Sequence, residues 1–245
     1  MLVTGGNGGR TGQEDGALAS AELYDPATST WAAVAPMTDA RTGHRAVLLS
    51  DDRVLVIGGA LPTGQDRQSA LAYCELYDPA ARTWTPTGSL AEARKGHQAT
   101  ALPDGRVLVT GGDPVVAPDG TLDAQALAGA ELYDPKTGEW TSVASMPGGG
   151  RSGHRNLLLR SGVVLVIGGT GAPELTAGYR SVVAYSPEDD AWTTIGGLGL
   201  GRFALGAVEL TDNRVLVGGG VAAAGTAADS LDAVQPAGTG EVLIP

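Results

Sequence analysis

Cysteine, histidine and aromatic side chains are all scarce in this chain. The single cysteine, Cys74, forms no internal disulfide and supplies no thiolate cluster for zinc. Its neighbours Ala72-Tyr73-Cys74-Glu75-Leu76-Tyr77 alternate like a strand, so it reads as a small buried side chain rather than a redox group. Aromatics make up 4% of the residues while glycine reaches 38 of 245, which disfavours a helical bundle and suits short strands joined by tight turns. No apolar run approaches the roughly 18 residues of a membrane-spanning helix. No basic leader or cleavage site precedes the first apolar strand, so the expectation is a soluble chain without a signal peptide, with the cytoplasm favoured. Runs of Lys and Arg are also missing, and the formal charge is −11. Phosphate backbones and membranes are therefore not expected partners.

What is present is a repeat. Leu-Val runs end in diglycines at Gly5-Gly6, Gly58-Gly59, Gly111-Gly112, Gly168-Gly169 and Gly218-Gly219, a spacing of 53, 53, 57 and 50 residues. That period suits a propeller blade. Tyr24, Tyr77, Tyr133 and Tyr185 each stand seven residues before Trp31, Trp84, Trp140 and Trp192, whereas the stretches after the diglycines vary in length. Fixed spacing marks scaffold and variable length marks loops. With the repeat running end to end, the chain reads as one domain over 1–245, in units of approximately 1–36, 41–90, 94–147, 151–198 and 202–245.

One unit shows how the wording makes a blade. Ala46-Val47-Leu48-Leu49 and Val54-Leu55-Val56-Ile57 are apolar on both faces, as in a sheet stacked between two others, and a short turn separates them. After Gly58-Gly59 come a polar loop, a third strand ending at Tyr77, the turn Asp78-Pro79-Ala80-Ala81-Arg82 and a fourth strand around Trp84. Asp78 is placed to accept from backbone N–H groups ahead of it, and Pro79 presets φ for the turn. The diglycine is expected to take positive φ and to let a large ring, the blade's Tyr or Trp, lie against the backbone. The fold class is all-β, with five four-stranded blades.

Diglycine, then Tyr, then Trp in each four-stranded blade resembles the kelch-repeat family of β-propellers, which includes the galactose-oxidase-like propellers. The resemblance implies a small kelch-type β-propeller. The last unit departs from it: Leu231-Asp232-Ala233-Val234-Gln235-Pro236 stands in place of the Tyr-Asp-Pro strand and Glu241-Val242-Leu243-Ile244 in place of the Trp strand. The first unit begins at its second strand. Glu241 to Ile244 therefore either closes the first blade or finishes the fifth; a larger propeller or a pairing of two copies also fits the count.

Strand alternation brings the segments entering the innermost strands, and the loops after the diglycines, to one face. The loops are Asn7 to Ser20, Ala60 to Ala70, Asp113 to Gly129, Thr170 to Arg180 and Val221 to Ser230. The entering segments pair an arginine with a histidine three residues on: Arg41 and His44, Arg94 and His97, Arg151 and His154, with Arg202 and Leu205 as a variant. These residues and Ser152 are the candidate ligand-binding set. Four guanidinium groups near one axis would draw a polar or anionic small molecule or an acidic protein segment; the competing reading pairs each with a neighbouring blade. In kelch adaptors, Arg and Ser residues just before the innermost strands contact acidic peptides, and by resemblance Arg41, Arg94, Arg151, Ser152 and Arg202 hold similar places. A histidine repeated in every blade serves the blade, so no metal and no cofactor are assigned. Gly58, Gly59, Tyr77, Trp84, Gly111, Gly112, Tyr133, Trp140, Gly168, Gly169, Tyr185 and Trp192 are the structural repeat residues. No Ser-His-Asp set, phosphate loop or close carboxylate pair has a telling spacing. A binding module is the leading function; a metal-free isomerase, epimerase or cyclase, with an Arg holding substrate and a His moving a proton, is the alternative.

Overall fold

The computed structural model describes residues 1–8, 16–62, 68–114, 125–171, 175–225 and 234–245, and every regular element among them is a strand. No helix of the described residues is long and apolar enough to cross a membrane. They group into two compact units: Met1–Lys95, Pro114–Asp123 and Tyr133–Trp140, and Gly96–Asp113, Ala124–Leu132 and Thr141–Pro245.

In the first unit β1 (Leu2–Thr4), β2 (Ala21–Asp25) and β3 (Thr30–Val34) form an antiparallel sheet in that order. β4 (Arg45–Leu48) and β5 (Val54–Ile57) lead through the small hairpin of β6 (Ala60–Pro62) and β7 (Gln68–Ala70) to β8 (Cys74–Asp78) and β9 (Thr83–Pro86). The second sheet runs β4-β5-β8-β9. β10 (Gln98–Ala101) and β11 (Val107–Thr110), which belong to the second unit, are followed by β12 (Ala130–Asp134) and β13 (Glu139–Val143), again four strands in chain order.

In the second unit β14 (Arg155–Leu158), β15 (Val164–Ile167), β17 (Ser181–Ser186) and β18 (Ala191–Gly197) form the next four-stranded sheet. The last repeat supplies β19 (Gly206–Glu209), β20 (Val215–Gly218) and β23 (Gly240–Leu243). β16 (Leu175–Ala177), β21 (Val221–Gly225) and β22 (Val234–Pro236) make a separate small sheet from the loops. Sheets stack on their apolar faces: Leu108, Leu132 and Leu102 of one sheet form a single cluster with Val164 and Tyr185 of the next. Leu165, Ile167 and Val182 likewise pack with Val215 and Val217.

The turn chemistry follows the sequence. Asp25, Asp78 and Asp134 each accept a backbone N–H two residues on through Oδ1 at 2.8 Å, and the Gly138, Arg82 and Ser29 positions that end these turns take positive φ. The seven-residue spacing places each Tyr opposite its Trp, as in the pairs Tyr24 with Trp31 and Tyr77 with Trp84. The ring centroids are 5.0 to 5.1 Å apart in all four pairs. Tyr77, Tyr133 and Tyr185 are buried.

The structure departs from the sequence expectation in three places. First, the ring against the diglycine is an imidazole, not the blade's Tyr or Trp. A Cβ on Gly5 would stand 2.7 Å from His44 Cε1 and 2.8 Å from the Arg41 carbonyl, and one on Gly111 would stand 2.7 Å from His154 Cε1. Second, the fifth turn uses Gly219 and Gly220, at φ 66° and 89°, because Gly218 is still paired in β20. Third, β23 pairs with β20, so Glu241 to Ile244 occupies the place of the Tyr-Asp-Pro strand, neither the Trp strand nor the first sheet. Val234–Pro236 pairs with β21 instead, and 226–233 lie outside the described residues. The first and last sheets thus have three strands each, against four in the other three repeat sheets.

Candidate functional site

Each arginine that enters an innermost strand is fully buried. Its own carbonyl accepts from the second diglycine N–H of the preceding repeat: Gly6 to Arg41 at 2.8 Å, and Gly59 to Arg94, Gly112 to Arg151 and Gly169 to Arg202 at 2.9 Å. The guanidinium then turns back onto its own sheet. Arg41 Nη1 donates to the Gly58 and Tyr73 carbonyls at 3.0 Å and Nη2 to Glu75 Oε1 at 2.7 Å. Arg202 repeats this with Gly219, Thr239 and Glu241 Oε1, the last at 2.7 Å. Arg94 reaches Glu92 through its carbonyl and, at 3.5 Å, its carboxylate. Burial draws the Glu241 carboxyl upward, but the Gly199 and Leu200 N–H groups and Arg202 outweigh it, and its pKa lies below the usual carboxylate range.

Arg151 differs. It donates to the Gly168, Ser181 and Pro147 carbonyls and to Ser181 Oγ, and its guanidinium carbon lies 5.5 Å from the centre of the Tyr179 ring. Where Arg41 meets Glu75, the repeat here has Val183, and among the described residues no carboxylate lies within ion-pair distance of Arg151. Burial lowers its pKa, Tyr179 opposing. Beside it Ser152 is half-buried, pairs its backbone with Thr170 and donates Oγ to Asp113 Oδ2 at 2.9 Å.

The histidines serve the joints between repeats. His154 Nε2 lies 2.8 Å from Thr110 Oγ1, which itself donates to Asn156 Oδ1 at 3.1 Å. The threonine has one proton, so His154 is the donor and carries its hydrogen on Nε2. His44 lies between Gly5 and Gly59, and burial, with the nearby charges of Arg41 and Arg45, pulls its pKa down to about 4. His97 is fully buried. The structure thus places each candidate at the loop end of its sheet but turns the guanidinium and imidazole groups inward, leaving Ser152 and the half-buried Tyr73 and Tyr179 nearest the water. The tyrosine partners of Arg41 and Arg151 were not singled out in the sequence, and neither was the Glu of Ala-Glu-Leu-Tyr-Asp. That Glu was readable, since it recurs as Glu22, Glu75 and Glu131 and fails only at Val183.

Of the variable loops, 9–15, 63–67, 115–124, 172–174 and 226–233 lie outside the described residues. At the opposite, turn end of the sheets a cleft of about 410 Å³ is lined by Asp104, Arg160, Ser186, Pro187 and Glu188.

The Kelch motif is matched over residues 94–147, which span the sheet from β10 to β13 with its entering arginine. Kelch-like protein 34 of Homo sapiens is 30% identical over 208 residues, covering 84% of this chain and 30% of that protein. The chain is a kelch-repeat β-propeller. Kelch-like protein terF of Aspergillus terreus is 28% identical over 183 residues, or 73% of the kelch chain and 39% of its own length. Kelch-like protein 36 of Mus musculus is 29% identical over 186 residues, 76% of this chain and 28% of its own. The kelch chain therefore spans about a third of the length of these curated relatives. The solved structure of YjhT shares the fold at a TM-score of 0.67 and 17% identity, over 83% of this chain and 67% of its own.

Proposed function

We propose that this kelch chain is a binding module that holds an acidic protein segment, or an anionic small molecule, at the loop end of the β14-to-β18 sheet beside Arg151 and Ser152. One observation carries the reading: the Arg151 guanidinium is buried without the carboxylate that neutralises Arg41 and Arg202. A cation removed from water and met only by carbonyls, a hydroxyl and a ring projects its field to the surface above it. The chain as a whole is acidic, so the attraction is local to that place. The backbone around Gly148 to Gly150, half-buried or exposed there, supplies polar contacts, while the Ser152 hydroxyl is held by Asp113 and becomes a donor to the ligand only by leaving that carboxylate. The other three arginines are scaffold in this reading.

A thermal-shift titration with citrate and with an oligoglutamate peptide tests it, glucose serving as the neutral control. The acidic probes should raise the midpoint saturably, by about 2.7 kcal/mol at a hundred times Kd, on the order of 5–10 °C for a chain of this size. Val183→Glu restores the repeat's own carboxylate opposite Arg151, so it should leave the fold intact and abolish the shift. An equal shift in the variant, or none in the parent, contradicts the proposal.

A further inference from the structure

At the loop end, beside Ser152, the fifth repeat changes its wording. Arg41, Arg94 and Arg151 are each followed by a polar residue, a glycine and a histidine, whereas Arg202 is followed by Phe203, Ala204 and Leu205. Phe203 is the single phenylalanine of the chain, and it is half-buried rather than enclosed. Its backbone bridges to Val221, where that of Ser152 bridges to Thr170, so the strand opposite has turned apolar as well. Across the seam to the fourth repeat, a Cβ on Gly153 would stand 3.5 Å from Phe203 Cβ and 3.7 Å from its Cδ2, and the Gly153 carbonyl accepts the Ala204 N–H at 2.7 Å. One seam earlier the same place is polar: a Cβ on Gly96 would meet the Ser152 hydroxyl at 3.3 Å and the Asp113 carboxylate at 3.4 Å. Ala204 holds φ at 51°, a conformation that Gly43, Gly96 and Gly153 take at this position without a Cβ. It is exposed, so the strain is kept at the surface, as it is where a surface is built for contact. Tyr179 joins the two places: its ring lies against the Arg151 guanidinium and its carbonyl accepts the Arg202 N–H at 3.1 Å. Arg151 therefore has hydroxyl and carboxylate groups on the side of the third repeat and rings on the side of the fifth.

We infer that the acidic protein segment held beside Arg151 carries an aromatic residue within two positions of its acid, and that this ring packs on Phe203. The inference rests on Arg151 being the group that holds the anion. A segment suits the surface better than a small anion, because the cationic and aromatic parts belong to successive repeats. Residues two apart in an extended segment point the same way and lie about 7 Å from each other, which lets one reach each part. The ring leaves water against Phe203, and ring-on-ring contact adds to the area it buries. Charge alone accepts any acidic segment, so Phe203 is the residue that sets which one is preferred.

The test titrates the full 245-residue protein calorimetrically with two peptides of equal charge, acetyl-Gly-Glu-Gly-Phe-Glu-Gly-amide and its counterpart with alanine for phenylalanine, and with citrate as the ring-free anion. The phenylalanine peptide should bind about tenfold or more tighter than the alanine peptide. Phe203→Ser, which writes the fourth repeat's residue into the fifth, should bring the two peptides to equal affinity and leave that of citrate at the parent's value. Retained citrate binding shows that the fold and Arg151 are intact. The comparison of the peptides on the parent protein needs no variant and decides the matter where Phe203→Ser does not fold. Equal affinity of the two peptides for the parent, with citrate still bound, overturns the inference and leaves Arg151 as the anion-holding group. A preference undiminished in Phe203→Ser overturns it too. Absence of binding by all three ligands removes the inference and the Arg151 site together.

Discussion

Arg41 surrenders all its contact with water, and a guanidinium does that only where carbonyls and a carboxylate replace the hydration it gives up. The same joint neutralises His44. Its folded pKa of about 4 lies below the 6.5 of the free side chain, so between those values the unfolded chain binds the extra proton. The stabilisation is therefore complete above pH 6.5 and is lost progressively as pH falls toward 4, about 3 kcal/mol in all for one such group. Urea titrations from pH 7.5 to 4.5 should show this decline, and His44→Gln should flatten it; equal slopes for the two proteins would exclude His44 as its source. That a histidine recurs three residues after three of the four arginines was legible in the sequence. Its contact with the diglycines of two repeats was not, because spacing within one repeat says nothing about which side chain of the next comes against it.

Among the elements, the Tyr–Trp spacing was the clearest message, since a tight turn of fixed length between two antiparallel strands brings both rings to opposite positions. The indoles have a second task. Trp84 Nε1 donates to the Ala35 carbonyl at 2.7 Å, Trp140 to Gly88 at 3.0 Å and Trp192 to Ala144 at 2.7 Å, tying each sheet to the segment that leaves the one before. Trp31, in the incomplete first sheet, is 48% exposed. Trp84→Phe should cost about 1 kcal/mol or more in a urea titration, while Trp31→Phe should stay within about 0.5 kcal/mol of the parent. Equal losses would remove the indole bond as a tie. The last repeat departs from the pattern for local reasons. Three consecutive glycines, Gly218 to Gly220, leave the period unable to say which two make the turn, and β23 lacks the Tyr-Asp-Pro ending that marks a third strand elsewhere.

For the whole molecule, the all-β kelch fold was legible from a diglycine period that survives loops of different length. The inward turn of the arginines was not, although Glu22, Glu75 and Glu131 at one repeat position signalled where their partners stand. Burial also falls away at the last sheet, where Val208, Leu216 and Val242 stand exposed on a face whose counterparts Leu108 and Leu165 are core. The account rests on one joint repeated along the chain, in which the second diglycine N–H binds the carbonyl of the next repeat's arginine. Native-state hydrogen exchange reads it directly. The amides of Gly59, Gly112 and Gly169 should be protected to nearly the global unfolding free energy, like those of β5, β11 and β15. Exchange of these glycines at the rate of open loops, with the strands still protected, would contradict it.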